Sequence, residues 1–373
     1  MKKIHISQID TLFSNGSYPI EFLLFYKNFP ESKLIRESIS GLAEVFWPVF
    51  GKFNSGSIYF ENYDEDSRII ENQTREDFNP EIILAQSITE YNKHDPEDDK
   101  LFFMKIIHFA DGTAILPKLK HIAGDGFSYF YFLSALAQDS KNRIYPGKEN
   151  PDLIVYLPKH NRTCLKEFSS GSIPAGKKII YDNLHCEFQF VLKSEIKESI
   201  KAVLRDSGER ISTNDILCGI ILKKYASIRE NSDPGTFTLT MPIDVRTQIH
   251  EYGPDYFGNP LMLHDIIFDI KEIEELTPPE LAIRIRKSMP EITKDNYLRY
   301  LSRIEKLIES GQYDKLLPYN PDKGCLITNL SVLPASRLDF GTGIPDFVSP
   351  LTVGKNSTVI LSDKQKFILK YIF

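Results

Sequence analysis

Two apolar runs, LFFMKIIHF at 101–109 and TAILPKLKHI at 113–122, flank Asp111-Gly112, and this junction constrains the fold more than any other stretch. Asp-Gly between alternating apolar segments signals a tight β-hairpin. Along the second strand Ile115, Leu119 and His121 share parity, so the imidazole is expected on the apolar, inward face. After Gly126, FSYFYFLSALAQ places Phe127, Phe130, Leu133 and Leu136 near helical spacing. The hairpin is therefore expected to end in a short turn at HIAGDG and to open a buried helix. A histidine there is either a hydrogen-bonded core residue or a cavity-lining one. An unperturbed imidazole pKa of about 6.5 leaves it largely neutral at physiological pH, as a general base must be.

The rest of the chain narrows the options by exclusion. At about 150 residues per domain, 373 residues suit two domains or one large one. Lys and Arg number 45 against 51 Asp and Glu, a net charge of −6 that offers no footprint for a nucleic-acid backbone. Twenty-five Phe and 18 Tyr beside the single Trp47 give enough apolar bulk to line a deep cavity. Cys164, Cys186, Cys218 and Cys325 are widely spaced, without a metal-binding or disulfide pattern, so no metal site is implied. The N-terminal MKKIHISQIDTLF lacks the apolar stretch of a signal peptide, and no run approaches the roughly 18 apolar residues of a membrane span. A soluble, cytoplasmic and monomeric protein is expected. GSIPAGKK at 171–178 approximates a P-loop, but Lys178 stands where the metal-binding Ser or Thr belongs. Gly-x-Ser-x-Gly and a strand-borne Gly-x-Gly-x-x-Gly are absent, which removes the main support for serine-hydrolase and dinucleotide-binding readings.

Coarse periodicity places a helix at 31–46, with Leu34, Ile35, Ile39, Leu42 and Val45 near one face, and a strand in SGSIYFEN. A charged loop covers 92–100, and residues 139–180, rich in Lys, Pro, Ser and Gly, read as a long connection. Beyond it, strands are expected at 186–193, 236–244, 261–270, 324–333 and 357–362. Helices are expected at 194–206, 213–229, 279–289 and 296–310. Both halves mix strands and helices without regular βαβ alternation, which indicates an α/β protein with mixed sheets.

His121, Asp125 and Gly126 form a His-x-x-x-Asp-Gly pattern that resembles the signature of the BAHD acyltransferases, which use acyl-CoA donors. ISQIDTLF at 6–13, LIRESISGLAEVFWPVFGKF at 34–53, STNDILCGI at 212–220, MPIDVRTQI with YFGNP within 241–260, and LDFGTG at 338–343 follow in the family's order. The resemblance spans nearly the whole chain. It implies two similar chloramphenicol-acetyltransferase-like α/β domains, at 1–180 with the connecting loop and at 181–373, with a channel between them. Acyl-CoA would be a co-substrate entering one side, with no permanently bound cofactor, and a small-molecule alcohol or amine would enter the other. A carrier-protein thioester is an alternative donor, and a catalytically silent ligand-binding or partner-binding member is another reading.

On the same resemblance His121 is the general base, and Thr328 and Asn329 either donate to the oxyanion or stand as satisfied polar groups at a strand end. Asp125 would turn away from the channel to pair with Arg246. Gly124 and Gly126 would permit a backbone path that a side chain obstructs. Asp339, Gly341 and Gly343 would form a structural turn on a loop of the second domain. Thr213, Tyr256 and Asn259 match segments bordering the coenzyme side, or mark a helix start and a turn. Three positions depart from the family's pattern: Thr342 and Leu330 where Trp is usual, and Lys120 where related condensation domains carry a second histidine. Leu330 touches the expected acceptor side, so the acceptor does not transfer from plant relatives.

Overall fold

The computed structural model describes residues 1–14, 18–64, 68–85, 100–144, 154–168, 184–228, 235–351 and 354–373. GSIPAGKK and residues 92–99 of the charged loop lie outside the described residues. The hairpin forms as β6 (Phe102–Phe109) and β7 (Gly112–Leu119), from Phe102 opposite Leu119 to Phe109 opposite Gly112. Its tip is therefore Ala110-Asp111, one residue earlier than the Asp-Gly pair suggests. Gly112 belongs to the strand for a steric reason. A Cβ there would lie 2.4 Å from the carbonyl oxygen of Tyr26 and 2.5 Å from the Phe25 ring. Those residues end β2 (Ile20–Tyr26), which pairs antiparallel with β7.

Five strands build this first sheet in the order β12-β2-β7-β6-β5, with β5 at Ile69–Gln73 and β12 at Phe347–Pro350. A small sheet beside it joins β1 (Lys2–His5), β4 (Ser57–Phe60) and β3 (Lys52–Asn54). Two helices accompany it, α1 (Ser32–Leu42) and α2 (Gly126–Ile144). In α1, Ile35 and Ile39 are four apart and fully buried, but Val45 is 40% exposed because the helix stops at Leu42, short of the expected 46. In α2, Phe130, Leu133 and Leu136 are buried while Phe127 at its start is only partly so.

The second sheet has six strands in the order β10-β9-β11-β13-β14-β8. They are β8 (Cys186–Leu192), β9 (Thr236–Asp244), β10 (Leu261–Asp269), β11 (Gly324–Asn329), β13 (Ser357–Ser362) and β14 (Lys366–Ile372). β9, β11 and β13 run parallel, and the remaining pairs are antiparallel. One face packs on α3 (Lys193–Ser207), α4 (Thr213–Ile228), α5 (Ile270–Glu275) and α6 (Pro278–Ser288) through a core that includes Leu217, Ile221, Leu239, Leu281, Ile327 and Leu369. The last helix, α7 (Lys294–Glu309), contributes Tyr297, Leu301 and Ile304 to the other large core, which also holds the β2, β6 and β7 residues. The mixed α/β class is thus as expected.

A cut at 180 follows the sheets everywhere except at β12. That strand comes from the C-terminal half and pairs with β2. The stretch read as a plain connection also departs from expectation. The α2 helix runs to Ile144, and within 154–168 Arg162 is buried and Lys159 bridges to Tyr256.

Replacing Gly112 by Ala should lower stability by about 1–3 kcal/mol, the usual range for forcing atoms into a packed place. Gly235→Ala, which meets nothing within 4 Å, should stay within about 0.5 kcal/mol of wild type. Denaturant unfolding checks both, and equal losses would remove the steric account of the hairpin tip.

Candidate active site

Strand parity holds as far as Leu119: Ile115 and Leu119 are both fully buried. It does not reach His121. The chain leaves the strand at Lys120 and winds a single tight turn over His121–Ala123, closed by the Ala123 amide donating to Lys120 O at 2.9 Å. The imidazole is thus aimed by the turn and not by the pleat. Its ring stacks on Phe13, centroids 3.9 Å apart and planes 14° apart. The residue is partly exposed, yet Nδ1 is buried and makes no hydrogen bond of ordinary geometry. Burial pushes the imidazole below its ordinary pKa of 6.5, outweighing Asp125, Asn259 and Asp10, which favour the charged form.

Asp125 closes the turn and begins α2. Its two carboxylate oxygens accept from the two terminal nitrogens of Arg246 at 2.7 and 2.8 Å, a bidentate fork between residues 121 apart in sequence. Burial would raise the Asp125 carboxyl, but the Arg246 charge and hydrogen bonds hold it below the ordinary range. Both side chains are almost fully buried. Asp125 also caps α2 by accepting from the Ser128 amide at 2.9 Å. Arg246 continues into the second half: its Nε donates to Tyr256 O, and its Nη2 donates to Ser128 Oγ. Ser128 Oγ both accepts from the Gly258 amide and donates to Gly258 O, each at 3.0 Å. A Cβ on Gly124 would sit 2.7 Å from Ser128 Cβ, so this junction excludes a side chain there. Gly126 is less restricted, its nearest neighbour being the flexible Leu330 tip at 3.1 Å.

Two residues expected on the coenzyme side, Asn259 and Tyr256, have buried side chains. Asn259 is 1% exposed, with Nδ2 donating to Asp10 at 2.7 Å and to His121 O at 2.9 Å. Tyr256 is 3% exposed, its ring tilted against Tyr252 at 4.5 Å between centroids. Asn259 thus braces the histidine turn from inside, and Tyr256 accepts from Arg246 through its carbonyl. Thr213 opens α4 as the first residue after a cap: Ser212 and Asp215 exchange amide-to-side-chain bonds, and Asp215 also accepts from Arg286.

At the end of β11, Cys325 and Ile327 face the helix-covered core while Thr328 points to the opposite side, partly exposed. Leu330, just beyond, reaches Gly126, so this strand end abuts the histidine turn. Asn329 donates through Nδ2 to Asn214 at 2.8 Å and accepts from the Ser331 amide at 3.0 Å. Asp339 accepts from the amides of Gly341 and Gly343 at 2.8 and 2.9 Å, and both glycines have positive φ, 104° and 108°. Burial raises its carboxyl, but Lys141, 2.7 Å away, and the two amides outweigh this and lower it. Lys141 lies about 22 Å along α2 from Gly126, far from the imidazole. The loop belongs to the C-terminal half and packs on the first half, through Ile144 and through Tyr26, whose hydroxyl donates to Leu338 O.

The site also contains residues that the sequence reading left unassigned. Asp10 and Phe13 lie in the quoted ISQIDTLF segment, which is the one available signal. Arg162 has none, because its partners are main-chain carbonyls and a distant carboxylate.

An acyltransferase architecture emerges from comparison of the fold. The structure resembles that of the F. graminearum TRI101 complexed with coenzyme A and deoxynivalenol, with TM-score 0.76 and 14% identity, covering 100% of this chain and 95% of that one. It also resembles vinorine synthase, with TM-score 0.72, 18% identity and coverage of 100% and 90%. A family model described as "Transferase family" matches residues 74–367. Among curated proteins, anthranilate N-benzoyltransferase protein 2 of Dianthus caryophyllus is 23% identical over 85% of this chain and 76% of its own length. Shikimate O-hydroxycinnamoyltransferase of Nicotiana tabacum is 22% identical over 92% and 85%. The chain belongs to that transferase family, the BAHD acyltransferases, and is by class an acyl-CoA-dependent O- or N-acyltransferase.

Arg246→Ala should destabilise the fold by about 3–5 kcal/mol, because it leaves the buried Asp125 charge unpaired, whereas Asp125→Ala should cost less, since Asp244 stays 3.0 Å from Arg246. The double variant should lose much less than the sum; simple additivity in a double-mutant cycle would show that the pair is not the link described here. Asp339→Asn should lower the yield of folded protein at most, and leave the pH profile of turnover unchanged. A lost or displaced limb would put its carboxylate in the chemistry.

Proposed function

We propose that the protein transfers an acyl group from acyl-CoA to a hydroxyl or amine of a small molecule, with His121 as general base and both substrates bound together in a channel between the two halves. The observation that carries this reading is the imidazole itself. It is kept neutral by burial, stacked on Phe13, and mounted on a turn fastened to both halves of the chain.

Nε2, the imidazole nitrogen opposite the buried Nδ1, takes the proton from the acceptor as its oxygen or nitrogen attacks the thioester carbonyl carbon. The resulting oxyanion needs donors aimed at it. Thr328 offers a hydroxyl, and Asn329 has one amide hydrogen beyond that used for Asn214. Collapse breaks the carbon–sulfur bond, and the leaving thiolate takes the proton back from the imidazolium. The products are acylated acceptor and free CoA, with the base regenerated and no acyl-enzyme formed. Holding both substrates in one channel makes the attack effectively unimolecular. Asp125 takes no proton in this scheme, since Arg246 occupies both of its oxygens. The cytoplasm is the proposed compartment, and a monomer the proposed state.

Release of CoA thiol from a panel of acyl-CoA donors should require an added alcohol or amine. Acylated carrier protein is the parallel arm, and turnover with it alone would move the donor assignment. His121→Ala should slow transfer by about 10² to 10⁴. Protonation silences a general base, so activity should fall as pH drops through the imidazole pKa. Because burial lowers that pKa, the acid limb of kcat/KM should lie below pH 6.5. A correctly folded His121→Ala variant with wild-type turnover would end the base assignment.

A further inference from the structure

The turn at His121–Ala123 is too short to satisfy its own carbonyls. His121 O accepts from the Gly124 amide and from Asn259. The next two, Ile122 O and Ala123 O, both accept from one side chain, Arg162, through Nη1 at 2.6 Å and through Nη2. A planar guanidinium presents two parallel N–H groups at the spacing this needs, which an ammonium cannot do. A buried cation requires an anion, and Asp10 supplies it 3.2 Å away, both side chains being fully buried. Asp10 is itself held by Ser7 and Asn259. It lies in the tight turn Ile9–Phe13, whose last residue stacks on the imidazole.

From this geometry we infer that Arg162 is a positioning residue for His121: it holds the two carbonyls that follow the histidine and, through Asp10, the turn whose Phe13 ring lies against the imidazole. No ordinary hydrogen bond fixes Nδ1, so the ring's direction depends on its backbone below and on Phe13 beside it. One guanidinium governs both. It does so from the segment 154–168, independently of the Asp125–Arg246 fork. The charged groups around the imidazole are then Asp125 with Arg246, which Asp244 also approaches at 3.0 Å, and Asp10 with Arg162. Loss of the second cation would expose the imidazole to Asp10 alone.

The inference rests on the proposed base role, and the test separates the two. Full-length wild type, Arg162→Lys, Arg162→Met and Phe13→Leu are compared by steady-state kinetics and by an NMR pH titration of the His121 ring protons, assigned through His121→Gln. Arg162→Lys keeps the charge but not the fork, and kcat should fall about 10- to 100-fold with KM for acyl-CoA unchanged, the scale expected for a misplaced catalytic group. Phe13→Leu should give a similar loss without touching the ion pair. Arg162→Met should raise the imidazole pKa and move the acid limb upward. A merely structural Arg162 would reduce folded protein and leave kcat per folded molecule, the titration and the limb where they are. That result in Arg162→Lys, or in Phe13→Leu if the arginine variants do not fold, overturns the inference. Absence of acyl transfer in wild type would instead strike the proposed function, and the titration would still report whether Arg162 and Phe13 set the His121 environment.

Discussion

The buried fork between Asp125 and Arg246 is the interaction on which the rest of the site depends. It joins the first turn of α2 to the segment that follows β9, and no other contact described here ties the histidine turn to the second half with two charge-assisted bonds at 2.7 and 2.8 Å. Its cost explains its surroundings. Two charges withdrawn from water need every remaining polar atom satisfied. Ser128, Tyr256 O and the Gly258 backbone supply those partners, and the Phe127 ring lies 4.4 Å from the guanidinium carbon. The His-x-x-x-Asp-Gly pattern and the MPIDVRTQI segment are thus two ends of one structural device.

An imidazole proposed as a general base in this setting faces opposing demands. Burial keeps it neutral and ready to accept a proton, while carboxylates nearby favour its protonated form. The structure meets this by placing an arginine on each of the two carboxylates: Asp10 pairs with Arg162, and Asp125 with Arg246, which Asp244 also approaches at 3.0 Å. With both carboxylates paired, desolvation dominates. The same two pairs carry the backbone, so electrostatics and geometry at the site are set by the same groups.

The hairpin, the helix after it and most elements of the second half were legible because each has its own periodicity. The parity of Ile115 and Leu119 places them together in the large core, while Ala114 and Leu116 are buried on the opposite face of β7. The tip shifted by one residue because Gly112 is required by the passing β2 backbone, a tertiary constraint that a turn rule does not contain. β12 was invisible locally: FVSP has no pattern of its own and becomes a strand by pairing with β2, more than 300 residues away. At the site, the resemblance to a family supplied the Asp125–Arg246 partnership. It did not show that the Asn259 and Tyr256 side chains are buried, because adjacency to a motif does not say which way a side chain points. Arg162 sat in a stretch whose composition reads as a linker, and only the folded chain brings its two carbonyl partners together.

The account stands or falls on what reaches His121. A crystal structure with a non-hydrolysable acyl-CoA ether and an acceptor bound together would show it directly. The imidazole should lie within about 2.6–3.2 Å of the acceptor's nucleophilic atom, geometry that proton abstraction requires. That atom should in turn be about 3–3.5 Å from the carbon standing in for the thioester carbonyl, with Thr328 or Asn329 facing the oxyanion position. A complex in which the pantetheine arm ends away from His121, with no acceptor atom within reach of the imidazole, would contradict the account.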